Sequence, residues 1–456
     1  MPRRRGAGSR GEATDGALQE GEVEPAVPSP TQRRSPLGGR VNGPRTAWEA
    51  RRGGRLGLSA ALTAVTLLLV AAQGLTTLAQ PTAPPAIRQA PTEEAPPALP
   101  LPIGVLGPLS GEFAPLFQPS KRAIEMAVAT FNAAGGIDGR HLRLIFEDTR
   151  GTAGEALAAA ERALSTYQVA ALITGLSGAE VQAVLPVSAN ANIPQLVFSD
   201  DAPAVTRGGS RTVFRVSPSA ELLYGNLIDY AAADRGWRSF ALVGPDSAAG
   251  RDLAESLRSI TLQRKDGTSL LTVQYYELGR TEFSALLHNL NLLKPQAVLL
   301  RGPMTESALI VRQARKLGWE VPFLGGQELA HPFFYDITDT AGNGVLVGRG
   351  YEPGHITGKA SPASQQRLPT LPGGGDEWHA FAYDAVLVLA NAFRKAGTSG
   401  DQLFNVMRRL EYRGVTGDFK FSRSGDAVRP IYLSEWQDGA HLRFLRAWDG
   451  FKLDLR

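Results

Sequence analysis

The loop Gly175-Leu176-Ser177-Gly178-Ala179-Glu180 contains the clearest chemical groups at a defined spacing. Ser177 precedes Glu180 by three residues, directly ahead of a helix-like stretch. In a capping box of this kind, the serine and the glutamate satisfy free backbone amides in the first turn of a helix. Gly178 and Ala179 are too small to cover the remaining amides. The loop therefore predicts a helix start with accessible N–H groups.

Two adjacent carboxylates, Asp200 and Asp201, come after Ser199 and the next apolar run. Each would repel a nearby anion by about 1 kcal/mol or more if it were partly buried. The alternative is structural, with one aspartate capping the turn and the other facing solvent. The pair either disfavours an anionic ligand at this loop or marks a turn.

No pattern of enzyme chemistry is present. The histidines are scattered without a pair at metal-ligand spacing, and no G-x-S-x-G elbow or P-loop lysine occurs. The loop GVLGPLSG after the first strand is not a G-x-G-x-x-G motif. Glu147 and Asp148 form an acidic pair at a strand end, which indicates a turn or lobe contact rather than a catalytic dyad. The sequence predicts a protein that is not an enzyme, with no catalytic residue, no cofactor and no metal ion. The histidines are His141, His288, His331, His355, His379 and His441.

The charge and the cysteine content exclude further classes of protein and of site. The net charge of the 456 residues is +4, but residues 1–55 carry 11 arginines against 6 acidic residues, so the rest is close to neutral. The basic pI is a property of this tail and does not indicate a nucleic-acid-binding surface. The absence of cysteine excludes disulfides, thiolate sites and a lipid-modified N-terminal cysteine.

The first hundred residues do not resemble a packed domain, since they hold 13 of the 31 prolines. Residues 1–55 predict a disordered basic leader. The uncharged, apolar segment 56–79 predicts either a cleaved signal peptide or a retained membrane anchor, and both would export the remainder of the chain. Translation starting further downstream would make a more ordinary leader. Residues 80–101 predict a proline-rich linker.

From Ile103 onward, short apolar runs alternate with amphipathic stretches of helical length. This alternation continues to about Leu324 and predicts βαβ units, hence an α/β fold with two doubly wound parallel-sheet lobes. After two further helices, short runs at Gly417 to Phe421, Pro430 to Trp436 and His441 to Arg446 predict a terminal β-meander.

Six segments in this region carry a family resemblance when taken together in order. They are IGVLGPLSGEFA, FNAAGGIDGRHLRLIFEDTRGTAGEALAAAERAL, ANIPQLVFS, RQARKLGWEVPFLGG, AYDAVLVLANAF and VTGDFKFSRSGDAVRPIY. Through them residues 102–456 resemble type I periplasmic solute-binding proteins of ABC transporters, in the branch of the branched-chain amino acid (Leu/Ile/Val) receptors.

The resemblance implies two lobes joined by three crossovers that close on a ligand. Lobe 1 would combine about 102–218 with 351–427, and lobe 2 would combine 219–350 with 428–456. The implied function is capture of a small polar ligand, such as an amino acid or amide, for an ABC importer outside the cytoplasm. The alternative is a sensory or regulatory domain, tethered to the inner membrane by residues 56–79, that acts on a cell-envelope protein. Neither role involves nucleic acid.

The resemblance also implies where a ligand would bind. The family holds the ligand carboxylate at the helix start that corresponds to Ser177, Gly178 and Ala179, and it uses the loop that corresponds to Ser199, Asp200 and Asp201. At several other positions the chain departs from the family. Leu116 replaces a frequent aromatic residue, Ala249 and Pro303 replace tyrosines, and Gln327 replaces the glutamate that pairs with an ammonium group.

These departures remove most of the contacts by which the family binds an α-amino acid. Two aspartates and Gln327 favour a neutral, hydroxyl-rich or cationic ligand instead. Glu328 is adjacent to Gln327 but would point the other way in a strand.

Overall fold

The computed structural model describes residues 99–199, 202–355 and 377–451. In chain order, the strands are β1 Leu101–Gly107, β2 Leu142–Asp148, β3 Leu172–Thr174, β4 Gln195–Val197, β5 Val213–Arg215, β6 Ser239–Pro245, β7 Ser269–Tyr276, β8 Ala297–Leu300, β9 Phe323–Gly325, β10 Leu346–Arg349, β11 Glu411–Gly414, β12 Gly417–Phe421, β13 Ala427–Val428, β14 Ile431–Gln437 and β15 His441–Trp448.

The helices are, in the same order, α1 Ala114–Ala133, α2 Ala153–Ser165, α3 Gly178–Asn190, α4 Ala204–Arg207, α5 Ala220–Asp234, α6 Ala248–Gln263, α7 Ser284–Leu293, α8 Met304–Lys316, α9 Pro332–Thr338, α10 Glu377–Ala396 and α11 Asp401–Arg409. Two short 3₁₀ helices, Gln327–Ala330 and Asp339–Gly342, flank α9.

Two sheets organise these elements, and the predicted α/β fold is confirmed. The first sheet has the order β2-β1-β3-β4-β5, and all of its strand pairs are parallel. The second has the order β15-β14-β10-β9-β8-β6-β7, in which β6 to β10 pair in parallel and β14 and β15 are antiparallel. The first sheet with the helices packed on it is called the first lobe, and the second sheet with its helices the second lobe.

Both sheets are covered by helices on both faces. In the first lobe, α1, α10 and α11 bury one face, and the small side chains of α2 and α3 bury the other. In the second lobe, α5 and α6 cover one face and α7, α8 and α9 cover the other. This double coverage explains why the central strands are continuous apolar runs rather than alternating ones.

The chain passes between the lobes three times, between β5 and α5, between β10 and α10, and between β13 and β14. The expected terminal β-meander is wrong. Strands β11 to β13 form a separate small sheet beside the first lobe, whereas β14 and β15 extend the second sheet. The third crossing separates the two groups, and no local pattern in the sequence marks it.

A buried aspartate and a buried arginine lie at this third crossing, and the hydroxyl of Thr416 bridges them. Asp384 of α10 accepts hydrogen bonds from the backbone N–H groups of Val415 and Thr416, at 2.8 and 3.1 Å. Arg429 donates to the Thr416 hydroxyl at 2.6 Å, and its guanidinium lies 4.3 Å from the centre of the Phe419 ring. Burial raises the pKa of Asp384 and lowers that of Arg429 to about 10. The pair joins the last long helix of the first lobe to the segment that returns to the second.

Several expectations fall on residues outside the described ranges. They concern the leader 1–55, the apolar segment 56–79, most of the linker 80–101, and the pair Asp200 and Asp201. Within the described ranges, no helix is both long and apolar enough to cross a membrane.

Candidate functional site

A cleft of about 1370 Å³ lies between the two lobes. Its second-lobe wall is built by residues that come after the carboxyl ends of β6, β8, β9 and β10, and its first-lobe wall by the starts of α1 and α10. Ligands of open parallel sheets bind beyond the carboxyl ends of the strands. The fold therefore directs loop residues of one lobe and helix starts of the other into one cavity.

Four of the ten predicted ligand-binding residues line this cleft: Leu116, Ala249, Pro303 and Gln327. Ser177, Gly178, Ala179 and Ser199 do not line it. Asp200 and Asp201 lie outside the described residues. The four positions on the cleft wall are thus ones at which the chain departs from the family. The predicted anion-binding loop, Ser177 to Ala179, lies outside the cavity.

The loop at the start of α3 forms the expected capping contact. Both the backbone N–H and the hydroxyl of Ser177 donate to Oε2 of Glu180, at 3.0 and 2.8 Å. Glu180 is buried, whereas Ser177 is exposed. The Ser199 hydroxyl donates to the Leu176 carbonyl at 3.0 Å, which joins this loop to the next. The Ser177 hydroxyl is therefore already committed to the helix cap.

Gln327 and Glu328 lie in a 3₁₀ helix after β9, not in a strand. The expectation that Glu328 points away from its neighbour is wrong, because the tighter 3₁₀ turn brings both residues to the cleft wall. Glu328 accepts a 3.4 Å hydrogen bond from the hydroxyl of Tyr224.

Gln327 contacts the first lobe directly. Its amide lies between the carboxylate of Glu377 and the indole N–H of Trp378, and the hydrogen-bond network orients the nitrogen toward Glu377 and the oxygen 3.1 Å from Nε1 of Trp378. The other carboxylate oxygen of Glu377 accepts from the backbone N–H groups of Gly350 and Tyr351, at 3.0 and 3.2 Å. The glutamine thus bridges the lobes.

Carboxylates outnumber guanidinium groups in the cleft. Among the described residues, four acidic side chains line it against two arginines, and no lysine lies on its wall. Arg349 pairs with Glu352, whose carboxylate also accepts a 3.3 Å hydrogen bond from Ser434. The lining acids are Glu328, Asp336, Glu352 and Glu377, and the arginines are Arg301 and Arg349.

Apolar side chains stand at the cleft from both lobes. Leu116 of α1 is 72% exposed, and Phe333 of α9 is 60% exposed and stacks on His331 with ring centres 5.1 Å apart. Burial lowers the pKa of His379, which favours the neutral form of this cleft histidine. Phe333, Trp378 and His379 were not predicted as cleft residues, because they lie at helix starts with no recognisable motif.

Gly302 forms part of the cleft floor after β8. Its φ is +144°, and a Cβ there would lie 2.4 Å from the hydroxyl of Tyr276. That hydroxyl is buried and has no hydrogen-bond partner among the described residues. Only glycine fits this position without strain.

A family model described as periplasmic binding protein matches residues 100–440. The chain belongs to this family. The type I branch with receptors for branched-chain amino acids contains its relatives, so the resemblance found in the sequence is confirmed.

One curated relative of the periplasmic binding protein family is Leu/Ile/Val-binding protein homolog 3 of Brucella melitensis biotype 1. It is 25% identical over 350 residues, which cover 74% of this chain and 91% of the relative.

Two solved structures are similar in fold. The branched-chain amino acid transporter substrate-binding protein LivJ of Streptococcus pneumoniae, in complex with isoleucine, aligns with a TM-score of 0.62 and 21% identity, covering 76% of this chain and 99% of that one. A solute-binding protein from R. palustris in complex with benzoate aligns with a TM-score of 0.60 and 20% identity, covering 78% and 97%.

Membership of the family supports a solute-binding role, a location outside the cytoplasm and the absence of catalysis. Within residues 99–199, 202–355 and 377–451, no group of three or more histidine, aspartate or glutamate side chains is arranged to hold a metal ion.

Proposed function

We propose that this protein is an extracytoplasmic receptor that captures a small neutral or cationic organic solute in the interlobe cleft and presents it to an ABC importer. In this proposal the lobes correspond to 102–218 with 351–427 and to 219–350 with 428–456. The apolar segment 56–79 serves for export or as an anchor at the inner membrane.

The excess of carboxylates over guanidinium groups among the described residues of the cleft wall carries the proposal. An acidic cavity lowers the free energy of a bound cation and raises that of a bound anion. The wall also lacks the tyrosine side chains that the family resemblance assigns to positions 249 and 303, and Gln327 supplies an amide where an acid is expected. Both features argue against an α-amino acid bound with the contacts that the family resemblance implies.

The apolar side chains at the cleft limit the ligand further. Leu116 and Phe333 are largely exposed and come from opposite lobes, so a bound solute with an apolar part would cover both. Burial of apolar area stabilises binding by about 25 cal/mol per Å². We therefore expect a solute that combines a donor or positive group with a hydrocarbon part, such as an amine or an amide.

Isothermal titration of the purified protein with solutes of matched size tests the proposal. We expect binding of an aliphatic amine or amide, and none of the corresponding carboxylic acid. Substitution of Asp336 by asparagine should weaken binding of the amine more than that of the amide, because it removes a cleft charge. Glu161→Gln, which removes an exposed charge on α2, is the matched control.

Binding of the carboxylic acid alone would overturn the proposed ligand class. A folded protein that binds no solute in the panel would instead favour the tethered regulator, and capture of envelope proteins would then be the next measurement.

A further inference from the structure

A second contact joins the lobes away from the cleft wall. It connects α4 of the first lobe with α6 of the second. The carboxylate of Asp252 accepts a 2.9 Å hydrogen bond from the backbone N–H of Ala204 and also pairs with the guanidinium of Arg207. Arg207 donates in addition to the hydroxyl of Ser256 at 2.8 Å. One aspartate thus receives two donors from the opposite lobe.

Each side of this contact is fixed to its own lobe. Arg215, which is fully buried at the end of β5, donates to the Ala202 carbonyl and, at 3.0 Å, to the Thr206 hydroxyl, so it holds α4 on the first sheet. On the other side, Leu253 and Leu257 are fully buried in the second lobe. The contact therefore connects two rigid bodies rather than two loose loops.

The position of the contact relates it to the cleft. Asp252 lies less than one helical turn after Ala249, which lines the cavity. Its side chain is 14% exposed, whereas that of Arg207 is 47% exposed. Because Asp252 is largely shielded from solvent, its charge-assisted hydrogen bond with Arg207 is stronger than an ordinary surface ion pair. Opening of the lobes at α4 and α6 would break all three hydrogen bonds together.

We propose that the contact between Arg207 and Asp252 is a latch that sets how far the two lobes open, which makes Asp252 a positioning residue for the cleft. The latch resists separation of α4 and α6 and thereby holds the start of α6, with Ala249, against the first lobe. Its role in binding rests on the proposed receptor function, but its effect on lobe separation does not require a ligand.

The absence of native cysteine makes a direct test practical. Spin labels on the full-length double variant Arg150→Cys, Leu278→Cys would report the distance between the loops after β2 and β7, one in each lobe. Pulsed electron resonance on this background should show that Asp252→Asn increases the open population about fivefold at low salt. High salt should open the parent in the same way and leave the variant unchanged.

Two further variants test whether the change in lobe separation is specific to the contact between Arg207 and Asp252. Asp401→Asn removes an exposed ion pair with Arg211 inside the first lobe and should leave the distances unchanged. The charge exchange Arg207→Asp with Asp252→Arg should restore part of the short-distance population, because it restores the ion pair but not the hydrogen bond from Ala204. No recovery at all in a folded exchange variant would count against the ion pair as the latch. A parent and an Asp252→Asn variant with the same distance distribution, both folded by circular dichroism, would overturn the inference whether or not a ligand for the cleft is found.

Discussion

The side-chain oxygen of Gln327, in the second lobe, lies 3.1 Å from the indole nitrogen of Trp378 in the first, while its nitrogen faces the carboxylate of Glu377. Glu377 is only 4% exposed. A glutamate at position 327, as the family resemblance leads one to expect, would place two carboxylates together in a poorly solvated site. The glutamine is therefore matched to its neighbour across the cleft.

We expect Gln327→Glu to lower the free energy of unfolding by about 1–3 kcal/mol, because it replaces a hydrogen bond by repulsion between like charges. Urea unfolding followed by circular dichroism measures the change. Gln263→Glu, on the exposed surface of α6, should have little effect. If position 327 instead pairs with an ammonium group of the ligand, Gln327→Glu would leave stability unchanged and would strengthen binding of amino acids.

Gly302→Ala should destabilise the protein by about 1–3 kcal/mol. The new methyl group would collide with the buried Tyr276 hydroxyl, and the φ of +144° disfavours any side chain. Thermal unfolding measures the loss. The control is Gly154→Ala in α2, where a Cβ meets no atom within 4 Å and helix propensity favours alanine. Equal melting temperatures for Gly302→Ala and the parent would show that the cleft floor can adjust.

Asp148 gives a pH-dependent prediction. Burial alone would raise its pKa, but hydrogen bonds from the Ser110 hydroxyl and from the N–H groups of Arg150, Leu109 and Ser110 lower it to about 2. Since the pKa is depressed in the folded state, the stabilisation is complete above the ordinary value of 3.8 and is lost as the pH falls toward 2.

Asp148→Asn should therefore lower the free energy of unfolding by about 1 kcal/mol at neutral pH, and the difference from the parent should close between about pH 4 and pH 2. Urea unfolding at a series of pH values measures it. A difference that stays constant down to pH 2 would show that packing, not charge, is lost.

Ser177→Ala should cost about 1 kcal/mol of stability through loss of the helix cap, and it should leave ligand affinity unchanged, since Ser177 does not line the cleft. Ser165→Ala, at the end of α2, is a suitable control because its hydroxyl bonds only to the preceding turn. Titration with the solute identified for the parent measures affinity. A large loss of affinity with little loss of stability would show that Ser177 takes part in ligand binding.

Periodicity predicted the two lobes well because each central strand is buried on both faces and each helix buries one face. The error came after α11, where β11 to β13 and β14 to β15 look alike in sequence but join different sheets. Short alternating strands carry no information about which sheet they enter. Only the third crossing, held by Asp384 and Arg429, separates them.

The cleft was harder to predict than the fold. Alignment with the family identified Leu116, Ala249, Pro303 and Gln327, but it could not show that Gln327 is held by groups from the other lobe. Phe333 and Trp378 come from the starts of helices far apart in the chain. That both line one cleft depends on how the lobes are placed relative to each other, which no local pattern encodes.

The three crossings have a consequence for synthesis and export. The first lobe needs α10, which ends at Ala396, and the second sheet needs the hairpin of β14 and β15, which ends at Trp448. Neither lobe can complete its core until almost the whole chain is available. Contacts between distant segments slow folding, so the chain should remain unfolded while it emerges. An export machinery that transports extended polypeptides would therefore encounter this chain while it is still unfolded and can be transported.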